Sequence, residues 1–134
     1  MDKSFKLEII TPEREFFNDE CESLTVTSAH GEMGVLADSL PMAANLADGV
    51  TRIRQKNKWM RAYTGAGFMH VRPDGVIILA QSAEWPYEIK EKDVEADVNR
   101  LNAQLRKQQS LKEYKMAKAQ LARQLARLKV KKEM

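Results

Sequence analysis

The sequence has few of the residues that usually carry enzyme chemistry. Among 134 residues there is one cysteine, Cys21, and there are two histidines, His30 and His70. A single cysteine excludes an internal disulfide and a multi-cysteine zinc site. Aromatic residues make up 7% of the chain, and no apolar run is long enough for a membrane-spanning helix. The first residues lack the apolar stretch of a secretory signal, so we expect no signal peptide.

Catalytic motifs are absent as well. No phosphate-binding loop of the form G-x-x-x-x-G-K-[ST] occurs, and the stretch from Gly65 to His70 lacks the third glycine of a dinucleotide-binding turn. We interpret Gly65 and Gly67 as positions of close backbone approach. Cys21 has no basic neighbour that would lower the pKa of its thiol. The sequence therefore predicts a protein that is not an enzyme by itself, with no metal site.

Helix-breaking residues and charge are distributed unevenly. All six glycines lie at or before Gly75 and all four prolines at or before Pro86, and the 48 residues after Pro86 contain neither. Residues 1–84 have a net charge of −3, whereas residues 85–134 have a net charge of +6. Such a shift indicates a domain boundary. We predict one domain over residues 1–86 and a second over residues 87–134.

The first part has the pattern of short strands. Apolar and polar residues alternate over residues 5–9 and 24–28, which is typical of half-buried strands. Two further runs, residues 50–54 and 59–64, flank Asn57-Lys58 and predict a β-hairpin. Pro73-Asp74-Gly75 predicts a turn before an apolar run. Many short strands at regular spacing favour an all-β sandwich or barrel.

The second part has the pattern of two helices. Val94, Val98, Leu101 and Leu105 recur at helical spacing. A second stripe follows, with alanines around it; it consists of Leu111, Tyr114, Leu121, Leu125 and Leu128. Ser110 and Glu113 form a capping-box pattern that predicts a helix start near Leu111. We expect an antiparallel hairpin with a narrow apolar seam, able to open into an extended helix.

Positive charge is concentrated in the predicted helices. Residues 99–132 contain eleven basic residues and one acidic residue, Glu113. One interpretation is a solvated helix face. The other is a surface for an acidic partner, which could be protein, nucleic acid, nucleotide or anionic lipid. Tyr114 is the only aromatic residue on the stripe, which weakens the nucleic-acid interpretation.

Several segments of the β part occur in a recognisable order. They are Leu7–Glu13, Gly31–Leu36, Pro41, Gly49–Arg52, Gly67–Pro73 and Ile78–Glu84. With the helical second part, this order resembles the epsilon subunit family of bacterial and chloroplast F-type ATP synthases over the whole chain. The resemblance implies an N-terminal antiparallel β-sandwich followed by a C-terminal two-helix antiparallel hairpin able to extend.

The resemblance also implies a role and partners. Epsilon subunits belong to the central stalk, couple the gamma subunit to the ring of c subunits, and inhibit ATP hydrolysis when the hairpin rises towards the beta and alpha subunits. This implies a non-catalytic subunit on the cytoplasmic face of the bacterial plasma membrane, which meets the membrane only through the c-ring and binds no nucleic acid. The implied partner-binding residues are Gly31, Glu32, Met33, Gly34 and Ser39 in the first part and Arg123, Arg127, Lys129, Lys131 and Lys132 in the last helix.

Some members of this family bind ATP between the hairpin and the sandwich. The residues that match their ATP site are Glu84, Ile89, Arg100, Arg123 and Arg127. Lys90, Asp93 and Val94 depart from the pattern, because an acid, an arginine and an alanine are expected there. The resemblance therefore implies no required cofactor and leaves ATP as a regulatory ligand with an incompletely matched site. Ser39 also replaces a histidine that many members carry.

Overall fold

The fold has a strand-rich first part and a helical second part. The computed structural model describes residues 3–107 and 110–133. A short 3-10 helix, Pro86–Glu88, precedes the helices α1 (Glu91–Leu105) and α2 (Leu111–Lys132). The strands in the described part are β1 Phe5–Ile10, β2 Glu15–Cys21, β3 Ser23–Ser28, β4 Gly31–Val35, β5 Met42–Leu46, β6 Gly49–Gln55, β7 Lys58–Thr64, β8 Gly67–Arg72, β9 Gly75–Ala80 and β10 Ala83–Glu84.

The strands form one continuous sheet that folds over on itself. Its order is β10-β7-β6-β3-β5-β8-β9-β1-β2, with β4 paired to β3. Strand β2, at one end, comes back into contact with β6. Apolar side chains such as Leu7, Ile9, Leu24 and Ile53 are fully buried between the layers. The predicted fold class, a β-sandwich followed by a helical hairpin, is confirmed. One pair departs from the antiparallel expectation, because β1 and β9 run parallel.

The predicted hairpin between residues 50–54 and 59–64 is present as β6 and β7. Its two turn residues are Lys56 and Asn57, with φ angles of 49° and 64°. Two consecutive left-handed residues are typical of the tight turns that match the twist of the flanking strands. The turn lies one residue earlier than the Asn57-Lys58 of the sequence prediction, and Lys58 begins β7.

Gly67 lies where two strands approach closely, as predicted. A Cβ atom at this position would overlap the carbonyl oxygen of Leu79 on the neighbouring strand β9. Gly65 is similarly close to the side chain of Ser82. These glycines therefore serve strand packing and not phosphate binding.

The helices begin and fold back as predicted, but the buried face of α2 differs. The Ser110 hydroxyl accepts a hydrogen bond from the Glu113 amide at 3.2 Å and caps α2. On α1, Val94 and Leu101 are buried, in agreement with the predicted stripe. On α2 the buried residues are Ala117 and Val130. The expected leucine stripe is wrong at Leu111 and Leu125, which are largely exposed, and holds at Leu128, which packs against buried side chains.

The hairpin has more apolar support than its narrow seam suggested. A second apolar cluster, separate from the sandwich core, lies between the helices and the outer face of β6 and β7. Its buried members are Val50, Tyr63, Ile89, Val94 and Val130. We call this the interface cluster. The expectation of a hairpin without further core is therefore wrong for the folded state, because β6 and β7 provide a third surface.

Candidate functional site

The candidate site is the contact between the helices and the outer face of β6 and β7. Tyr63 and Val50 lie opposite each other on these strands, and Val130 of α2 covers them. Burial, together with the nearby Asp48 carboxylate, raises the pKa of the Tyr63 hydroxyl to about 12. Tyr63 is therefore neutral at physiological pH and acts as a packing residue whose hydroxyl makes polar contacts at its outer end.

A bidentate salt bridge joins the end of the sheet to α2. The Nε and Nη2 atoms of Arg127 donate to the two carboxylate oxygens of Glu84, at 2.7 and 2.9 Å. The third guanidinium nitrogen, Nη1, donates to the side-chain oxygen of Gln124 at 2.7 Å. Bidentate charged pairs are stronger and more directional than single ones. This pair fixes α2 against β10.

Asp48 provides a second polar contact, one helical turn earlier along α2. Its carboxylate lies 3.8 Å from the Nε atom of Arg123. It also accepts hydrogen bonds from the Ala66 amide at 2.8 Å and from the Tyr63 hydroxyl at 3.3 Å. The hydrogen bond from the Ala66 amide orients the Asp48 carboxylate independently of α2. Asp48 was not predicted as a site residue, because an Asp-Gly pair in a sequence indicates a turn.

The C-terminal end of α2 is held by three polar contacts, two from sandwich donors and one from a lysine of α2. Arg61 Nε donates to the Val130 carbonyl at 2.7 Å, and Lys131 Nζ donates to the Pro86 carbonyl at 3.0 Å. Arg52 pairs with Glu133. Carbonyl groups in the last turn of a helix lack intrahelical donors, so Arg61 satisfies one of them. Arg52 and Arg61 were not predicted as site residues, and the sequence pattern that marks them is a pair of cations at outward positions of the predicted hairpin.

Four of the five residues matched to an ATP site meet at this contact. Glu84 and Arg127 are paired, Arg123 lies one turn away on α2, and Ile89 belongs to the interface cluster. Arg100 lies elsewhere, because its side chain is 62% exposed and pairs with Asp97 of its own helix at 3.7 Å.

A cavity of about 550 Å³ borders Glu84 on the side away from α2. Its lining contains the carboxylates Glu13, Glu84 and Glu88 and one guanidinium, Arg14. This balance is unfavourable for a polyphosphate, so the cavity does not complete a nucleotide site.

The predicted partner-binding residues of the first part lie on β4 and the turn after it. Gly31, Glu32, Met33 and Gly34 belong to β4. Ser39 closes the following turn, since its hydroxyl accepts from the Leu36 amide at 2.9 Å. Two apolar side chains of this turn, which were not predicted as partner-binding, are largely exposed: Leu36 at 59% and Leu40 at 82%.

The predicted cations of α2 are largely engaged within the chain. Arg123, Arg127 and Lys131 make the contacts described above. Lys132 lies 3.5 Å from Glu91 and 3.3 Å from Glu95, and these carboxylates raise the pKa of its ammonium group. Lys129 is exposed. Their engagement means that the helices must separate from the sandwich before most of these cations can meet another protein.

The remaining titratable residues do not form a catalytic arrangement in the described part of the chain. Cys21 is buried, and burial raises the pKa of its thiol to about 12. His30 lies in the turn before β4, and His70 lies exposed on β8. In residues 3–107 and 110–133, no three acidic, histidine or cysteine side chains come together in a way that could hold a metal ion. Neither α1 nor α2 is long and apolar enough to cross a membrane.

Known proteins resemble this chain in sequence. Residues 4–86 match the family described as ATP synthase, Delta/Epsilon chain, beta-sandwich domain. The ATP synthase epsilon chain of Caldanaerobacter subterraneus subsp. tengcongensis is 41% identical over 131 residues, which cover 97% of this chain and 95% of that protein. The ATP synthase epsilon chain of Ruminiclostridium cellulolyticum is 41% identical over 125 residues, which cover 93% of each.

Two solved structures share the fold. A chain in the Euglena gracilis mitochondrial ATP synthase, OSCP/F1/c-ring in rotational state 1, superposes with a TM-score of 0.83 at 19% identity, covering 92% of this chain and 78% of that one. A chain in the Tetrahymena thermophila mitochondrial ATP synthase central stalk/c-ring gives a TM-score of 0.68 at 16% identity, covering 97% and 98%. At these identities the likeness is one of fold.

Proposed function

Because the chain belongs to the ATP synthase epsilon chain family, we propose that it is a non-catalytic central-stalk subunit of an F-type ATP synthase. The observation that carries this function is similarity to bacterial epsilon chains across both the sandwich and the helices, over 97% of the chain. Its partners are the gamma subunit, the c-ring, and the beta and alpha subunits. The subunit lies peripherally on the cytoplasmic face of the bacterial plasma membrane.

The sandwich carries the coupling function. The turn after β4 exposes Leu36 and Leu40 next to Ser39. Exposed apolar side chains grouped on one turn favour a protein contact over solvent exposure. We assign this turn and β4 to the surface that meets gamma and the c-ring.

The helices carry the regulatory function. In the folded state, the cations of α2 are paired with Glu84, Asp48 and residues of α1. Polar contacts with partly exposed groups can be exchanged for equivalent contacts with an acidic partner at a small net cost. The hairpin therefore leaves the sandwich, extends along gamma and presents Arg123 and Arg127 to the beta subunit, where it inhibits ATP hydrolysis.

Truncation within the assembled complex tests this function. Removal of residues 91–134 keeps the segment Trp85–Glu88, which is fixed to the sandwich by the Arg14–Glu88 pair. We expect ATP hydrolysis to rise several-fold while the complex still assembles. Unchanged hydrolysis in an assembled complex would refute the inhibitory role, and loss of c-ring coupling on substitution of Leu36 and Leu40 by serine would separately support the coupling role.

ATP is a second candidate ligand, favoured by the convergence of Glu84, Arg123 and Arg127 at one contact. Binding of MgATP there would have to reorganise the Arg127–Glu84 pair and recruit Arg100 from the exposed side of α1. Isothermal titration of the full chain with MgATP tests this, with Arg127→Gln as the variant expected to lose binding. Absence of heat at millimolar MgATP would exclude the nucleotide-sensing role.

A further inference from the structure

Two arginines lie directly opposite each other on the outer face of the β6–β7 hairpin. Three cross-strand pairs follow one another along this face: Val50 with Tyr63, Arg52 with Arg61, and Arg54 with Trp59. The first pair belongs to the interface cluster. Like charges directly opposite each other on neighbouring strands are destabilising. The second pair therefore needs anionic partners from outside the two strands.

The end of α2 supplies those partners. The Val130 carbonyl accepts from Arg61 Nε at 2.7 Å, and the Glu133 carboxylate pairs with Arg52. Unpaired carbonyls at a helix C-terminus carry partial negative charge, which favours a cation. A third contact is weaker, since Glu32 of β4 lies 3.8 Å from Arg52 and its side chain is 62% exposed. The two arginines are thus neutralised chiefly by the last residues of the chain's own regulatory helix.

A cavity and a hydrogen-bond acceptor without a donor lie beside the two arginines. A cavity of about 360 Å³ is lined by Arg52, Arg61, Glu133, Trp59 and Met60. Within the described residues, the Oε2 atom of Glu133 is buried and makes no hydrogen bond. Glu133 therefore satisfies the guanidinium of Arg52 with one oxygen only. An oxyanion with more acceptor atoms could contact both arginines at once.

We propose that Arg52 and Arg61 form an oxyanion-binding site, which Glu133 occupies when the hairpin is folded and which takes a phosphate group when the end of α2 moves away. Phosphate and the end of α2 compete for the same two guanidinium groups. Binding of phosphate therefore favours release of the hairpin. This effect is opposite in sign to that of a nucleotide bound at Glu84 and Arg127, which would hold the hairpin on the sandwich.

Titration of the full chain with inorganic phosphate tests this site. NMR signals of the Arg52 and Arg61 Nε–H groups report binding, and amide hydrogen exchange over residues 124–133 reports release of α2. Against chloride at matched ionic strength, we expect phosphate to shift both arginine signals and to speed exchange at least threefold. If chloride and phosphate had equal effects on the signals and on exchange, charge screening by salt would explain them and the proposed site would be wrong.

Three variants distinguish competition between phosphate and Glu133 from an effect of unfolding. Glu133→Gln removes the competing charge at the end of the chain while leaving the sandwich unaltered, so phosphate should bind several-fold more tightly. Arg61→Gln should lose the phosphate response, whereas Arg72→Gln, an exposed cation of β8 beside Asp74, should respond like the wild type. Unchanged phosphate affinity in Glu133→Gln would overturn the competition even if Arg61→Gln failed to fold.

Two sources of phosphate are distinguished by ADP and adenosine. If free phosphate is the ligand, ADP should shift the two arginine signals at concentrations similar to inorganic phosphate. If a nucleotide is the ligand, ADP should act at concentrations at least tenfold lower, because Trp59 is 54% exposed at the cavity and can stack on a base. Adenosine shifting the signals without any phosphate would contradict an oxyanion site.

Discussion

Glu84 and Arg127 are separated by 43 positions in the sequence, yet their side chains form a bidentate pair with contacts of 2.7 and 2.9 Å. Glu84 is the last residue of the final strand, and Arg127 lies on the last turns of α2. The pair therefore joins the end of one structural unit to the far end of the next. It is the most directional of the contacts that keep the hairpin folded.

Substitution of Arg127 by alanine should loosen the hairpin while leaving the sandwich folded. The pair is partly exposed, with side-chain exposures of 22% and 24%, so we expect a cost of about 1–2 kcal/mol in the folding of α2 onto the sheet. Amide hydrogen exchange should show faster exchange in α2 and unchanged exchange in β6 and β7. Arg100→Ala, which removes an exposed cation of α1, serves as the matched control. Equal exchange in both variants would contradict a role for the pair.

A larger side chain at Ala117 should disturb the hairpin itself. Ala117 is 1% exposed, whereas Ala122 on the same helix is exposed. Ala117→Leu should destabilise the protein by about 1–3 kcal/mol, because overpacking forces the helices apart. Ala122→Leu should leave stability nearly unchanged. Urea unfolding followed by circular dichroism measures both, and a neutral Ala117→Leu would show that the helices pack less closely than described.

The thiol of Cys21 should react only after the sandwich opens. Burial raises its pKa from 9.0 to about 12, which lowers the thiolate fraction at pH 8 roughly a thousandfold. Labelling with an alkylating reagent, followed by mass spectrometry, should be slow in the native protein and fast in urea. Rapid labelling without denaturant would indicate that β2 detaches readily from the sheet edge.

Stability should fall in acid through Glu88. The Arg14 guanidinium, which donates to Glu88 at 2.7 Å, lowers the pKa of this carboxyl below its ordinary value of 4.5. A carboxyl whose pKa is lowered in the folded state stabilises the fold at pH values above its ordinary pKa. This contribution is lost as the pH falls through the folded-state pKa.

Urea unfolding between pH 7 and pH 3 checks this sign. The wild type should exceed Glu88→Gln in stability at pH 7, and the difference should narrow as the pH falls below 4.5. Arg14→Gln removes the same pair and should reduce the pH dependence in the same way. A difference that stays constant over the whole range would contradict the assignment.

The strands that alternate regularly were predictable from the sequence, and the edge strands were not. Phe5, Leu7 and Ile9 have one buried face, so their pattern is visible. Strand β2 has mostly exposed residues, with Phe16 and Cys21 buried. Strand β4 contains two glycines and exposes most of its length. Such strands are defined by backbone pairing with a neighbour, which leaves little trace in side-chain periodicity.

The contact between α2 and β10 was predictable from the sequence, and the contact between α2 and the β6–β7 hairpin was not. Glu84, Arg123 and Arg127 were identified through the family resemblance, and the structure brings them to one contact. Arg52 and Arg61 can be recognised as site residues only from the cross-strand register, which places them opposite each other. The leucine pattern of α2 was only partly informative, because Leu128 packs against the interface cluster whereas Leu111 and Leu125 are largely exposed and the small residue Ala117 is buried.

The parallel pairing of β1 with β9 has a consequence for the order in which the chain can fold during synthesis. Residues 7–10 pair with residues 76–79, so the first hairpin emerges from the ribosome long before its second neighbour exists. Closing a long loop is entropically costly and is repaid only when that neighbour arrives. The sheet therefore cannot close around β1 before β9 has been made. We therefore expect α1 and α2, which follow β9 in the sequence, to dock on β6 and β7 after the sheet has closed.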